Sequence, residues 1–372
     1  MPGIFEKGRK FHLFYNCSMP ALFAFANRAR QWYNTYNWVK WRLLRGQDKN
    51  MWKDRIRPGN PEKLGVTRAG RELNFAVAVQ DGKDCSLLLY RKGMDEPELE
   101  FPFTDDMRFG EICAMDLDGL PVQEYEYNYK IDRKVVQDPY AASIRGREIW
   151  GKAVEEEKLR CQTRFESFSW AGDHPLALPV EQCVLYKTHV RGFTMDPSSG
   201  VRHPGTFAGI REKIPYLKKL GITQLLLMPV YEFAEIREEH AAKKHMPVRK
   251  GMGERINYWG YGPSYLYTVK SAYASHGEMS AESEFKTLVK ELHRAGIECI
   301  PELYFTGKEL PGEIVSVLRY WVEEYHVDGF HILGEGAPLD LIMKDGLLAG
   351  TKIMAEGMDT AALYKNRRSG KR

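Results

Sequence analysis

Residues 320–335, YWVEEYHVDGFHILGE, constrain the fold of this 372-residue chain more tightly than any other stretch. In and just before it, Ile314, Leu318, Trp321, Val322 and Tyr325 recur at helical spacing, and the pattern stops at His326. A short apolar run from Gly329 to Leu333 follows with almost no loop between. A helix that feeds directly into a buried strand is the αβ joint of a parallel α/β sheet. In such folds chemistry gathers where the strands end, so residues 331–335 belong beside any pocket. They offer His331, Leu333 and Glu335, and the aliphatic Leu333 has no lone pair with which to attack a substrate.

The same rhythm repeats from Cys183 onward. Strands are expected at 183–190, 222–230, 296–305, 328–333 and 351–356. A helix over 207–221 carries Ile210, Ile214 and Leu217 on one face, with Gly221 as its stop. A second helix starts after Ser280, buries Phe285, Leu288, Val289 and Leu292, and ends at Gly296. A polar excursion, 232–256, leads into NYWGYGP, and a short helix around 339–348 precedes the last strand. Apolar strands alternating with helices require a parallel sheet covered on both faces. About five such units are visible, whereas a closed (β/α)8 barrel needs eight. Residues 181–372 therefore read as an incomplete TIM barrel, of the α/β class. Its open strand edges lead us to expect a partner chain or an oligomer that closes the sheet.

Upstream the texture changes. Runs at 73–79, 85–91, 110–117 and 125–132, split by turn residues, predict a small all-β, immunoglobulin-like sandwich over 56–145. Residues 146–180 read as a charged linker, and residues 1–55 as a basic, aromatic extension. Segment 1–58 holds twelve Lys/Arg against three Asp/Glu, a net of +9 in a chain of net +4, and carries Trp32, Trp38, Trp41 and Trp52. One reading is an arm for an anionic surface or a glucan; the plainer one is a helix packed on the body. No groove-reading motif accompanies the charge, so nucleic acid is not an expected partner.

Six cysteines, at 17, 85, 113, 161, 183 and 299, lack paired spacing and predict reduced thiols in a cytoplasmic protein. No run of eighteen apolar residues occurs, so no transmembrane segment is expected. The stretch 11–26 follows three basic residues as a signal peptide would, but His12, Asn16, Ser18 and Pro20 interrupt it. His240, His245, Glu238 and Glu239 lack metal-ligand spacing, and the glycines at 329–336 do not form a phosphate loop. Neither a metal nor a cofactor is expected.

VLYKTHVRGFTMDPSSGVRHPGTFAGIREKIPYLKKLGITQLLLMPVYEF (184–233) closely resembles the first two barrel units of glycoside hydrolase family 13, the α-amylase family, in its pullulanase- and isoamylase-type debranching branch. NYWGYGP (257–263), LRYWVEEYHVDGF (318–330) and LLAGTKIMAEGMD (347–359) add matches in the same order. RPGNPEKLGVTRAGRELNFAV (57–77) is similar to the opening of the carbohydrate-binding module family 48 sandwich found ahead of such barrels.

The resemblance implies an α-glucan or maltooligosaccharide ligand and two carboxyl groups about 5–5.5 Å apart, flanking the glycosidic bond. It implies the attacking aspartate at Leu333, its orienting arginine at His331 and the general acid at Glu356. Glu302, Thr306 and Gly307 stand where it implies aspartate, asparagine and histidine, and the carboxylate expected after a seventh strand has no counterpart. Tyr258 matches an aromatic platform under the sugar, and Asn257, Trp259, Tyr261, Glu302 and His331 complete the implied substrate-binding set. Glu335 lies about 6–7 Å beyond Leu333 along an extended strand, which fits poorly with the narrow carboxyl separation.

Three functions compete. The first is an α-glucan protein of debranching type with impaired or absent hydrolysis that retains oligosaccharide binding. The second is an active α-1,6-glucan debranching hydrolase with a divergent nucleophile. The third is a non-enzymatic interaction or scaffold protein working through its basic arm. Loss of an attacking carboxylate removes several orders of magnitude in rate, at about 1.4 kcal/mol per tenfold, which favours the first.

Overall fold

A computed structural model describes residues 54–236 and 256–355 together with Trp52, leaving out Asp81, Arg164, Glu166 and Glu278. The chain divides into two compact units, Met1–Arg57 and Pro58–Arg372. The expectations for the basic arm, the signal-like stretch, the His240/His245 loop and Glu356 lie outside the described residues.

The second unit opens with two antiparallel sheets. One contains Gly65–Ala69, Glu72–Ala78 and Ile112–Asp118, and the other contains Cys85–Arg91, Leu99–Pro102, Tyr125–Ile131 and Arg160–Gln162. Alternate side chains turn inward and fill the space between the sheets, where Phe75 meets Tyr127 edge-on at 5.3 Å. Arg160–Gln162 comes from the segment expected as a linker. Cys161 pairs with Tyr127, while Asn128 donates its amide to the Leu159 carbonyl at 2.7 Å, so the sheet reaches past residue 145. A charged run just upstream hides this short strand from pattern reading.

Five parallel strands follow: β1 (Leu185–Thr188), β2 (Gln224–Leu227), β3 (Glu298–Thr306), β4 (Gly329–Glu335) and β5 (Lys352–Ala355). They pair in chain order, and every neighbouring pair is parallel. Two helices cover one face, α1 (Ala281–Arg294) and α2 (Pro311–Tyr325). Ser280 caps α1 by accepting from the Ser283 N–H at 3.2 Å, and Gly296 beyond its end sits at φ 76. Pro311 opens α2, where the missing N–H costs nothing, and the Glu313 carboxylate accepts from the Leu310 N–H at 2.8 Å. The helices press Phe285, Leu288, Val289, Leu318 and Trp321 onto Leu225, Leu227, Leu303, Phe305, Phe330 and Ile332. Each such side chain is worth roughly 1.5–3 kcal/mol on burial.

Three sequence expectations change in detail. The helix over 207–221 is two, Phe207–Glu212 and Ile214–Leu220, because Pro215 lacks the N–H that would continue the first. The strand expected to reach residue 190 stops at Thr188, because His189 turns to cap the short helix Val190–Thr194. The expected polar excursion also begins inside the protein: Tyr231, Glu232 and Phe233 are buried in a hairpin with Ser264–Val269. Among the described residues β1 pairs only with β2, and β5 only with β4. Val184 and Leu185, beside that first edge, are 52% and 41% exposed.

Candidate functional site

The strand period of two places Lys187, Glu302, Tyr304, His331 and Leu333 on the face turned away from α1 and α2. Register then decides which of them meet. Glu302 lies opposite His331, Tyr304 opposite Leu333, and Thr306 opposite Glu335. The side chain of Glu302 is wholly buried. Its Oε2 is 2.5 Å from the Lys187 Nζ and 2.6 Å from the His331 Nδ1, and its Oε1 accepts from the Tyr261 hydroxyl at 2.7 Å. Burial alone would raise its pKa. The hydrogen bonds from His331, Lys187 and Tyr261, with the charge of Lys187, reverse that and hold the carboxyl below its ordinary range. Glu302 is therefore an ionised, saturated group suited to holding its neighbours in place.

Leu333 is buried at 9% exposure at the end of the same face. Beyond it the strand continues through Glu335, further than the sequence suggested. Gly334 makes this possible at φ +89, since a Cβ there would fall 1.9 Å from the Phe305 carbonyl oxygen. Glu335 is exposed and lies over Gly307, while Thr306 gives both its N–H and its hydroxyl to Glu309 at 2.9 Å. Thr306, at the end of the third strand, thus bonds locally.

The NYWGYGP loop stands next to this face and is tied down by His189. Its Nδ1 accepts the N–H groups of Arg191 and Gly192 at 3.1 Å, so the proton sits on Nε2, which donates to the Tyr258 carbonyl at 2.8 Å. Burial, which outweighs the bond to that carbonyl, lowers the His189 pKa and agrees with a neutral ring. The imidazole also stacks on Tyr258 at 4.2 Å and 16°. Asn257 is a loop organiser: its amide oxygen accepts from the Gly260 N–H at 3.2 Å, and its Nδ2 donates to the Tyr261 carbonyl at 3.3 Å. Trp259 is 52% exposed, and Trp150 packs edge-on to both Tyr258 and His189. At the foot of the loop, the buried Lys270 Nζ lies 2.6 Å from Glu232 and 2.7 Å from Glu235.

Of the site residues named from sequence, Tyr261, Glu302 and His331 come into direct contact. Tyr258 and Trp259 form an adjoining aromatic wall in a loop that Asn257 organises. Lys187 and His189 were missed. The signal for both was a lysine and a histidine inside an otherwise apolar strand, YKTHV. Among the described residues no group of three His, Cys, Asp or Glu side chains is arranged for a metal ion.

No family model matches the chain. Isoamylase 3, chloroplastic, from Oryza sativa subsp. japonica is 31% identical over 82% of this chain and 50% of its own length. The glycogen debranching enzyme of Erwinia tasmaniensis is 29% identical over 82% of this chain and 56% of its own length. The chain thus spans about half the length of the curated relatives it matches. Among solved structures, the product complex of the multi-modular glycogen-degrading pneumococcal virulence factor SpuA aligns at a TM-score of 0.63, with 21% identity over 81% of this chain and 37% of that one. Pullulanase from Paenibacillus barengoltzii, in complex with maltohexaose and α-cyclodextrin, aligns at 0.56, with 19% identity over 74% and 49%. The chain is thus a homologue of isoamylases and glycogen debranching enzymes, and it shares the fold of the SpuA and pullulanase structures.

Proposed function

We propose that this chain is an α-glucan protein of debranching type that retains oligosaccharide binding while its hydrolysis is impaired or absent. The observation that carries this reading is Leu333, an alkyl group at the strand end where the resemblance implies the attacking carboxylate. Glu302, a buried carboxylate on the same face, is ion-paired with Lys187 and bonded to His331, and Glu335 lies further along on the exposed strand end. Retaining cleavage needs an attacking oxygen on one side of the sugar and an acid on the other. Glu356 supplies the acid in this reading. Tyr258, Trp259 and Tyr261 give aromatic faces suited to the C–H face of a glucose ring. A reducing, cytoplasmic setting fits the buried free thiols of Cys85, Cys113, Cys161 and Cys299.

A closing partner belongs to the same reading. Among the described residues β1 and β5 pair on one side only, which supports a further block of βα structure, supplied by another chain or an oligomer, against those edges. Calorimetry with maltooligosaccharides and branched glucans tests the binding half, on the chain and on Tyr258→Ala. Saturable binding that weakens at least tenfold in the variant supports it; no heat with any glucan overturns it.

A further inference from the structure

A cavity of about 270 Å³ opens at the opposite end of the sheet from Glu302, near the starts of β3 and β4, lined by Trp170, Asp173, His174, Lys290, His293 and Arg294 among others. The turn that forms its wall holds Ala171 at φ 52, a left-handed conformation unusual for a residue with a Cβ, followed by Gly172 at φ 78. That turn holds the Trp170 indole flat against the His326 ring, at 3.8 Å and 11°. The carboxylates beside the cavity are already engaged. Asp173 contacts His293 at 2.9 Å and His326 at 3.2 Å, and Asp328 accepts from His293 and from the N–H groups of Leu176 and Cys299.

The remaining hydrogen-bonding capacity is on donors. Lys290 gives one N–H to the Ser169 carbonyl at 2.6 Å, and Arg294 gives Nη1 to Glu291 at 2.6 Å. An ammonium carries three donors and a guanidinium five, so both keep several N–H groups for a ligand. His293, between two carboxylates with both ring nitrogens in contact, lies behind them. An aromatic wall beside a cluster of donors matches a ring with an apolar face that carries several acceptor oxygens of negative charge.

We infer that this cavity binds a phosphate monoester of a sugar, with the ring against Trp170 and the phosphate between Lys290 and Arg294. The site stands apart from Tyr258 and Leu333, so it does not depend on the reading proposed for them.

Titration of the full chain with glucose 6-phosphate, glucose and inorganic phosphate at low salt tests it. Glucose 6-phosphate is expected to bind at least tenfold more tightly than either of the others. Arg294→Gln, at an exposed position, and Lys290→Gln are each expected to weaken it at least tenfold, while Tyr258→Ala leaves it unchanged. Absence of glucose 6-phosphate binding overturns the inference. So does inorganic phosphate of equal affinity, which marks an anion hole without a sugar, or unchanged affinity in both charge variants. Maltooligosaccharide titrated alongside separates failure of this site from failure at the Tyr258 loop.

Discussion

His331 and Glu302 face each other across two parallel strands, and Nδ1 lies 2.6 Å from Oε2. With Lys187 and Tyr261 the pair forms a closed set of contacts, in which one buried carboxylate serves three partners. Replacing it with an amide swaps one acceptor oxygen for a donor that faces other donors. Glu302→Gln is expected to lower the unfolding free energy by about 1–3 kcal/mol, read from urea midpoints. An unchanged midpoint would mean that the set does not hold the strand ends.

His189 joins the end of β1 to the loop that carries the aromatic wall. His189→Leu removes the bond to the Tyr258 carbonyl and the cap on Arg191 and Gly192 together. Maltooligosaccharide affinity is expected to fall about tenfold, equivalent to about 1.4 kcal/mol. Trp259→Ala, at an exposed ring, is expected to leave stability within about 0.5 kcal/mol while also weakening binding. Calorimetry beside thermal unfolding distinguishes the two effects.

The protonation state of His293 ties stability to pH. Burial alone would lower its pKa, but the hydrogen bond and charge of Asp328, joined by those of Asp173, raise it above the ordinary histidine value. A raised folded pKa means that the stabilisation is complete below the unfolded value of about 6.5 and is lost as pH climbs through the folded value. Urea midpoints should fall as pH rises above about 6.5, and His293→Gln should flatten the fall. A wild-type midpoint that rises there would contradict the assignment.

Much of the fold was legible because its signals are periodic. The helix from Ile314 to Tyr325 and the strand after it follow from side-chain spacing alone, and the Ser280 cap and Gly296 stop are local chemistry. The two halves of the 207–220 helix required only Pro215 to be given its due weight. The Glu302 set was not legible, because Lys187, Tyr261, Glu302 and His331 are distant in sequence and meet only through sheet register. Likewise His293 reads as the last turn of an amphipathic helix until Asp173 and Asp328 arrive from 120 residues before it and 35 after.

The strand edges make a prediction about association. Leu185, in β1, is an exposed apolar group on a strand that pairs on one side only among the described residues. Light scattering is expected to show mass rising with concentration, and Leu185→Lys to reduce the rise. A monodisperse monomer at every concentration would count against a closing partner.

The central claim concerns the oxygen missing at Leu333, and product formation tests it most directly. Reducing ends released from pullulan, glycogen and branched dextrins should be measured over long incubations, with the chain and with Glu356→Gln side by side. The account predicts that the two are indistinguishable and at background. Release clearly above background by the chain, abolished in Glu356→Gln, would contradict it.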